Sequence, residues 1–421
     1  MSKADPSAAE ALWSGAVMQA RVRKRYASER RFRWFGFTAV LLSAGFLVFL
    51  LVAMATAGVS GFSQTRIALP IDLAASDLPV TPQQLQGANA RRVLARADVG
   101  AAIAAAAVRK YGKDAGLWFG PAAERALRDR ILAEPSILGR SMVFTLPAAS
   151  HIDVAYKGSG DTLSEAAVTQ LERAGALSSG LDTQFLSNAD ATDPTVAGIW
   201  GALKGSLLTM LVTLSLAFPV GVLAALYLEE YAPRNRITDI IEVSINNLAA
   251  VPSIIFGLLA LALFINTFGL CQGSPLVGGL TLALMTMPVI VIAGRNAIKS
   301  VPPSIRDAAL GVGASKVQVV FHHVLPLALP GIMTGTIIGM ARALGETAPL
   351  LLVGMRAFVG GSPAGLCDSA TVLPMQVFLW SDEVDRGFVE NTSTAIIVLL
   401  IVLLSMNAIA IFLRNRFEKR W

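Results

Sequence analysis

Two charges stand in an otherwise apolar run. Leu325 to Met355 carries only Arg342 and Glu346. A charge at membrane depth is costly, and it marks either a path or a paired structural site. At i and i+4 the two residues share one face of a predicted helix and can pair with no net charge. The planar donors of Arg342 suit bidentate binding of an oxyanion. Glu346 would then hold Arg342 between substrates, or reject a wrong protonation state, because a protonated oxyanion can donate to a carboxylate. Gly345 lies between them. Thr347 and Pro349 just beyond can loosen the helix, which suits a gate. The competing reading is a buried pair that fixes helix packing.

Other reactive side chains are few. Cys271 and Cys367 fall on loops expected on one side of a membrane, where a disulfide is permitted. A bond and two buried thiols both remain open, since sequence gives no distance. His151, His322 and His323 have no companions at ligand spacing, so no metal site is expected. No phosphate-cradling Gly-Lys-Ser/Thr loop occurs, so the chain is not expected to bind ATP, to need a cofactor or to be an enzyme. No catalytic residue is assigned.

The elements that must position these residues are membrane helices. The chain has 421 residues, 54% hydrophobic and 15% charged, with a mean hydropathy of +0.59. That charged fraction excludes an ordinary soluble enzyme, a disordered chain and a disulfide scaffold. Charge-free runs cover Gly36–Val59, Gly205–Leu228, Val243–Gly294 and Asn391–Leu413. Val243–Gly294 is long enough for two spans, with Gly269–Pro275 as the hairpin between them. With Leu325–Met355 this predicts six transmembrane helices. The first has too long an apolar run, and too long a leader, for a cleaved signal peptide.

Basic residues set the orientation. Lys3, Arg21, Arg23, Lys24, Arg25, Arg30, Arg31 and Arg33 precede the first span. Arg234, Arg236, Arg295, Lys299, Arg306, Lys316, Arg414, Arg416, Lys419 and Arg420 fall on the same side, while Arg356 and Arg386 lie opposite. Both termini are therefore expected in the cytoplasm, in a multi-pass protein of the cytoplasmic (inner) membrane. The arm Arg21–Arg33 also carries Tyr26, Phe32 and Trp34. Anionic headgroups beside a span explain it better than nucleic acid. Arg234–Ala250 has one apolar face and reads either as an interfacial helix leading into the third span or as a simple amphipathic linker.

Residues 60–196 hold no membrane-length run and a near-neutral mixture of 13 Lys/Arg and 14 Asp/Glu. This segment is placed outside the cytoplasm as a small mixed α+β insert. Helices are predicted at Pro121–Leu132, Leu163–Leu177 and Thr81–Tyr111, and strands at Met142–Leu146 and Ile152–Tyr156. It is either a structural or docking insert, or a contact for a substrate-delivery protein or regulator. The division of the chain is then a basic arm 1–35, a first span 36–59, the insert 60–196 and a helical core 197–421.

The strongest pattern lies in the loop 296–326. Pro302 and Pro303 fix the start of a short helix that contains Arg306, Asp307, Ala308 and Ala309. Small side chains there admit a close partner surface. Gly311 and Gly313 permit a turn with positive φ. Ser315 can cap a second short helix ending at Leu325-Pro326. The product is a helix–turn–helix knob on the cytoplasmic face.

This loop resembles the Glu-Ala-Ala loop of ABC importer permeases. Asp307, Ala308, Ala309, Gly313, Leu325 and Pro326 stand at every expected spacing. Asp307 replaces Glu, and His323 replaces Ile. Ala341–Leu350 and Gly198–Leu207, with Tyr227-Leu-Glu-Glu-Tyr231, are similar to the corresponding segments of PstA-type phosphate permeases. The resemblance covers about 196–421. It implies a permease subunit that imports inorganic phosphate, with 296–326 docking on an ATP-binding subunit dimer that binds the ATP. It also implies a second, PstC-like permease chain and an extracytoplasmic phosphate-binding protein. A permease for molybdate or sulfate is the near alternative. A membrane sensor using 60–196 is the more distant one.

Overall fold

The computed structural model describes residues 16–74, 78–87, 89–355 and 358–417. Lys3, Arg356, Lys419 and Arg420, counted above for orientation, lie outside them. The chain divides into two compact units, Met1–Thr56 and Ala57–Trp421.

Helix α1 spans Ala16–Val59. It begins well before the apolar run, because the basic arm is built of good helix formers such as Ala, Met, Gln and Arg. Glu29 and Arg33 pair along it at 3.5 Å. In the first unit, Tyr26, Phe32, Trp34, Phe46 and Phe49 are all exposed.

The second unit opens with the insert. Strand β1 (Ser63–Asp72) is followed by α2 (Ala90–Ala95), α3 (Val99–Tyr111), α4 (Pro121–Ala133), β2 (Ser141–Pro147), α5 (Ser150–Tyr156), α6 (Thr162–Arg173), β3 (Leu177–Leu181) and α7 (Thr183–Ser187). The sheet is antiparallel in the order β2-β1-β3, with Ile67 facing Leu146 on one side and Leu177 on the other. Ile67, Leu69 and Ile71 alternate into a core shared with Ile103, Leu127, Ile131, Ile152 and Leu171.

Three expectations for this region change. β1, its central strand, was not predicted. Pro70 argues against a central strand, but β3 pairs only with Ser63–Ile67, so at Pro70 the strand has one free edge. Ile152–Tyr156 is helix α5, not a strand. Its apolar alternation is matched by a stronger local tie, since Asp153 and Lys157 pair at i and i+4. Thr81–Tyr111 is broken rather than one helix, because the Asp98 side chain accepts from Ala101 N and restarts the chain as α3.

The helical core comprises α8 (Trp200–Leu226), α9 (Arg236–Ala249), α10 (Ser253–Ala260), α11 (Pro275–Lys299), α12 (Pro303–Gly311), α13 (Lys316–Gln318), α14 (Leu325–Leu344), α15 (Ala348–Leu352), α16 (Leu373–Ser381) and α17 (Gly387–Phe417). α11 is the most buried long helix and packs on α8 and α14. Small residues make this close: a Cβ at Gly294 would stand 2.9 Å from Ala225 Cβ.

Among the described residues five helices are long and apolar enough to cross a membrane, or six if one bent pair counts as a span. That pair replaces the expected third span. α9 and 253–267 meet at 101° across Val251-Pro252, where proline cannot continue the ladder. The fifth run is also shorter than expected. α14 stops at Leu344, and Gly345–Thr347 separates it from α15.

Candidate functional site

Pro302 caps α12 and Pro303 occupies its first turn. Gly313 follows with φ +89°, a value that favours glycine, whereas Gly311 remains helical. Ser315 and Gln318 then form a reciprocal capping box. The second helix does not end at Leu325-Pro326. It passes through a π-turn, Val319–Val324, directly into α14, with Pro326 in the first turn of α14, where its missing N–H is tolerated.

This knob has two faces. Ala309, Val319, Val320 and Val324 are buried against Ile298 and Val301. Leu325 packs on the same cluster. Asp307, Ala308 and Gly313 are exposed, beside Leu310, Val312, Val317 and Phe321. The exposed face therefore combines an apolar patch with one carboxylate and small residues that admit close approach of another surface. His322 and His323 are exposed on the same knob.

The knob is rooted by an ion-pair lattice in which Arg295 and Lys299, counted in the sequence only for orientation, join Arg306 of the loop. Glu229 and Glu230 lie on a π-turn, Tyr227–Tyr231, that ends α8. Arg295 Nε donates to Glu229 at 2.6 Å, and Arg295 Nη2 lies 2.7 Å from Glu242 of α9. Lys299 lies 3.5 Å from Glu229. Arg306 Nη2 donates to Glu230 at 2.7 Å, while its two Nη atoms donate to the carbonyls of Val301 and Ile298. Glu229 and Glu230 stand at the end of α8 and Glu242 within α9, while Arg295 and Lys299 lie on the last turns of α11 and Arg306 on α12; the equal number of acidic and basic residues was the one trace of this lattice in the sequence.

Arg342 and Glu346 meet, with Arg342 Nε donating to Glu346 at 3.4 Å. They do so across a helix end rather than along one helix face. Arg342 is on the last turn of α14, Gly345 caps it, and Glu346 and Thr347 sit in the break. The Arg342 side chain is 51% exposed in this chain, so its own helices do not enclose it.

Cys271 and Cys367 are joined as a disulfide, with a Cα–Cα distance of 5.4 Å. The bond ties the turn before α11 to the loop before α16. Gly269 and Gly273, both at positive φ, shape that turn, and Ser274 Oγ donates to Cys271 O at 2.6 Å.

The insert is held to α17 by a second buried cluster that sequence did not reveal. Lys157 Nζ donates to Asp153 at 2.7 Å, to Glu390 at 2.8 Å and to Ser63 O at 2.8 Å. Burial opposes the charge on Lys157, but the two carboxylates outweigh it and hold the ammonium above the ordinary lysine range. Asp190 accepts from Trp380 Nε1 at 2.9 Å, yet burial raises its carboxyl above the usual range.

Residues 217–421 match a family model described as the inner membrane component of binding-protein-dependent transport systems. Residues 19–166 match a separate model, a domain of unknown function (DUF3333). A probable ABC transporter permease protein, YqgI, from Bacillus subtilis is 35% identical over 41% of this chain and 58% of its own length. The phosphate transport system permease protein PstA 1 of Mycobacterium tuberculosis is 32% identical over 52% of this chain and 70% of its own length. The chain thus spans 58% and 70% of the length of these two relatives. A solved inward-facing methionine ABC transporter, MetNI, overlays 53% of this chain and 95% of its own, with 21% identity and a TM-score of 0.41.

Proposed function

Because this chain belongs to the PstA-type permeases of binding-protein-dependent transport systems, we propose that it carries inorganic phosphate across the cytoplasmic membrane as the membrane-spanning subunit of an ABC importer. The observation that supports this best is the two-faced knob 296–326. It buries Ala309 against the helix bundle while leaving Asp307, Ala308 and Gly313 open.

In this reading an ATP-binding subunit dimer receives that face. ATP hydrolysis there displaces α12, and the displacement passes through the continuous helix from Lys316 to Leu344. Arg306, Leu325 and Pro326 hold the knob in register. Arg342, Gly345, Glu346 and Thr347 form the path or gate. A half-exposed guanidinium beside an apolar bundle avoids lipid, so Arg342 faces water or a second permease chain. Its planar donors fit a phosphate oxyanion.

Both termini lie in the cytoplasm. The insert 60–196 lies outside, where the Cys271–Cys367 bond is also placed, consistent with an oxidising compartment. A PstC-like permease chain and an extracytoplasmic phosphate-binding protein complete the assembly.

The test is uptake of radiolabelled phosphate into proteoliposomes holding the chain with its partner subunits, with molybdate and sulfate as competitors. Phosphate uptake that excess molybdate or sulfate does not suppress is the expected result. Preferred uptake of another oxyanion would shift the substrate. Full uptake by an Asp307→Lys, Gly313→Trp double variant would refute the docking role.

A further inference from the structure

The geometry points to Arg306 and Glu230 as a positioning pair that makes the docking helix α12 and the inner end of α8 move as one body. This inference rests on the reading of α12 as the docking helix.

Three observations carry it. First, the apolar hold on α12 is slight. Ala309 is its one fully buried residue, and Leu310 on the same helix is half-exposed. Ile305 adds a half-buried contact with the same cluster, and a nine-residue helix with so small an apolar anchor needs further fixation to stay in register.

Second, Arg306 supplies that fixation. Its Nε and Nη2 both donate to Glu230 Oε1, at 3.1 and 2.7 Å. Its Nη1 donates to Val301 O at 2.6 Å and its Nη2 to Ile298 O at 3.0 Å. One guanidinium therefore bonds the end of α11, the Pro302 corner and the end of α8 together. Lysine has neither the planar fork nor enough donors in that geometry to copy it. The two side chains are only 22% and 11% exposed, so the attraction is weakly screened.

Third, the π-turn divides its two carboxylates between two tasks. Glu229 takes Arg295 and Lys299, and Arg295 goes on to Glu242 of α9. Glu230 is left for α12. The lattice is neutral overall, with three acidic and three basic groups, and it links α8, α9, α11 and α12. A push on the exposed face of α12 then reaches α8 through Arg306 and Glu230, and α9 through Glu229 and Arg295, as well as passing up the helix that follows. The lattice is a contiguous physical connection of the kind that coupling requires.

The experiment uses Arg306→Glu, Glu230→Arg and the double swap, beside the milder Arg306→Lys and Glu230→Gln. Amide hydrogen exchange is followed over 303–313 of the full chain in detergent micelles. Phosphate uptake per ATP hydrolysed is measured in proteoliposomes with the partner subunits. Each reversal should speed exchange over 303–313 and lower uptake per ATP by about tenfold. The double swap should restore part of both, because a carboxylate at position 306 re-forms the ion pair but cannot donate to the carbonyls of Val301 and Ile298. Arg306→Lys should fall between. Amides 277–291 of α11, distant from the pair, should stay protected and so report an intact fold. If the reversals unfold that region, the two milder variants carry the test with the same sign. Unchanged exchange over 303–313 in the folded single variants would overturn the inference, as would a double swap no better than the singles. Absent uptake by the unsubstituted protein would count against phosphate import alone, because the exchange measurement stands without transport.

Discussion

Lys157 Nζ lies 2.8 Å from Glu390 Oε2, although 233 residues separate them in the chain. The contact fastens the insert to the start of α17. With Asp153 it forms a triad whose side chains are 10–16% exposed. Removing the cation leaves two buried carboxylates facing each other. We expect Lys157→Met to destabilise the full chain by about 3–5 kcal/mol. Denaturant unfolding in micelles measures this, and a loss below about 1 kcal/mol would show that the triad is dispensable.

The same triad sets a pH response. The fold holds Lys157 above its ordinary value of 10.5. Its stabilisation is complete below that value and is lost as pH rises through the higher folded value. Thermal unfolding of the wild type should therefore show an alkaline loss of stability that Lys157→Met lacks.

Asp190 has the opposite economy. Its folded carboxyl titrates above the ordinary 3.8 because burial penalises the charge. Its contribution to stability falls as pH rises from 3.8 through the folded value, then stays flat. Asparagine keeps an acceptor for Trp380 Nε1 without the charge. Asp190→Asn should unfold at a higher temperature than wild type at pH 7, by an amount that shrinks toward pH 4. No difference between the two pH values would contradict the assignment.

The disulfide closes a loop of 96 residues. Loop-closure arguments give such a bond about 4.7 kcal/mol, less any native strain. The Cys271→Ser, Cys367→Ser double variant should lose stability on that order, and added reductant should bring wild type to the same midpoint. A wild type indifferent to reductant while carrying the bond would show the loop to be held by other contacts.

Arg342→Gln should abolish most phosphate uptake while the partner subunits still hydrolyse ATP. Arg342→Lys should rescue it poorly, because a single ammonium cannot present two parallel donors. Glu346→Gln should instead change how uptake depends on pH between the two phosphate ionisation states. Uptake equal to wild type in both would place the pair outside the path.

Much of the helical core was legible in sequence because its apolar runs exceed anything a soluble fold tolerates. Pro302, Pro303 and Ser315 likewise announce α12 and α13 by local chemistry alone. What stayed hidden depends on partners distant in sequence. Glu230 meets Arg306 across 76 residues, and Lys157 meets Glu390 across 233. Neither spacing leaves a periodic trace. The bend at Val251-Pro252 was masked by an unbroken apolar run, which reports hydropathy and not direction. β1 was missed because its pairing partners, such as Leu146 and Leu177 on either side of Ile67, are distant in sequence.

The π-turn Val319–Val324 lies between the knob built on α12 and α14, and a π-turn amounts to an α-helix with one residue inserted. Wound as ordinary α-helix instead, the same residues would turn everything before them by about 100° relative to α14. The compass bearing of the docking face is thus set by one residue of surplus helix. A single-codon deletion inside the turn would let it close to α geometry with Asp307 on nearly the same bearing, whereas one in α13 or the first turn of α14 would swing Asp307 round by about 100°.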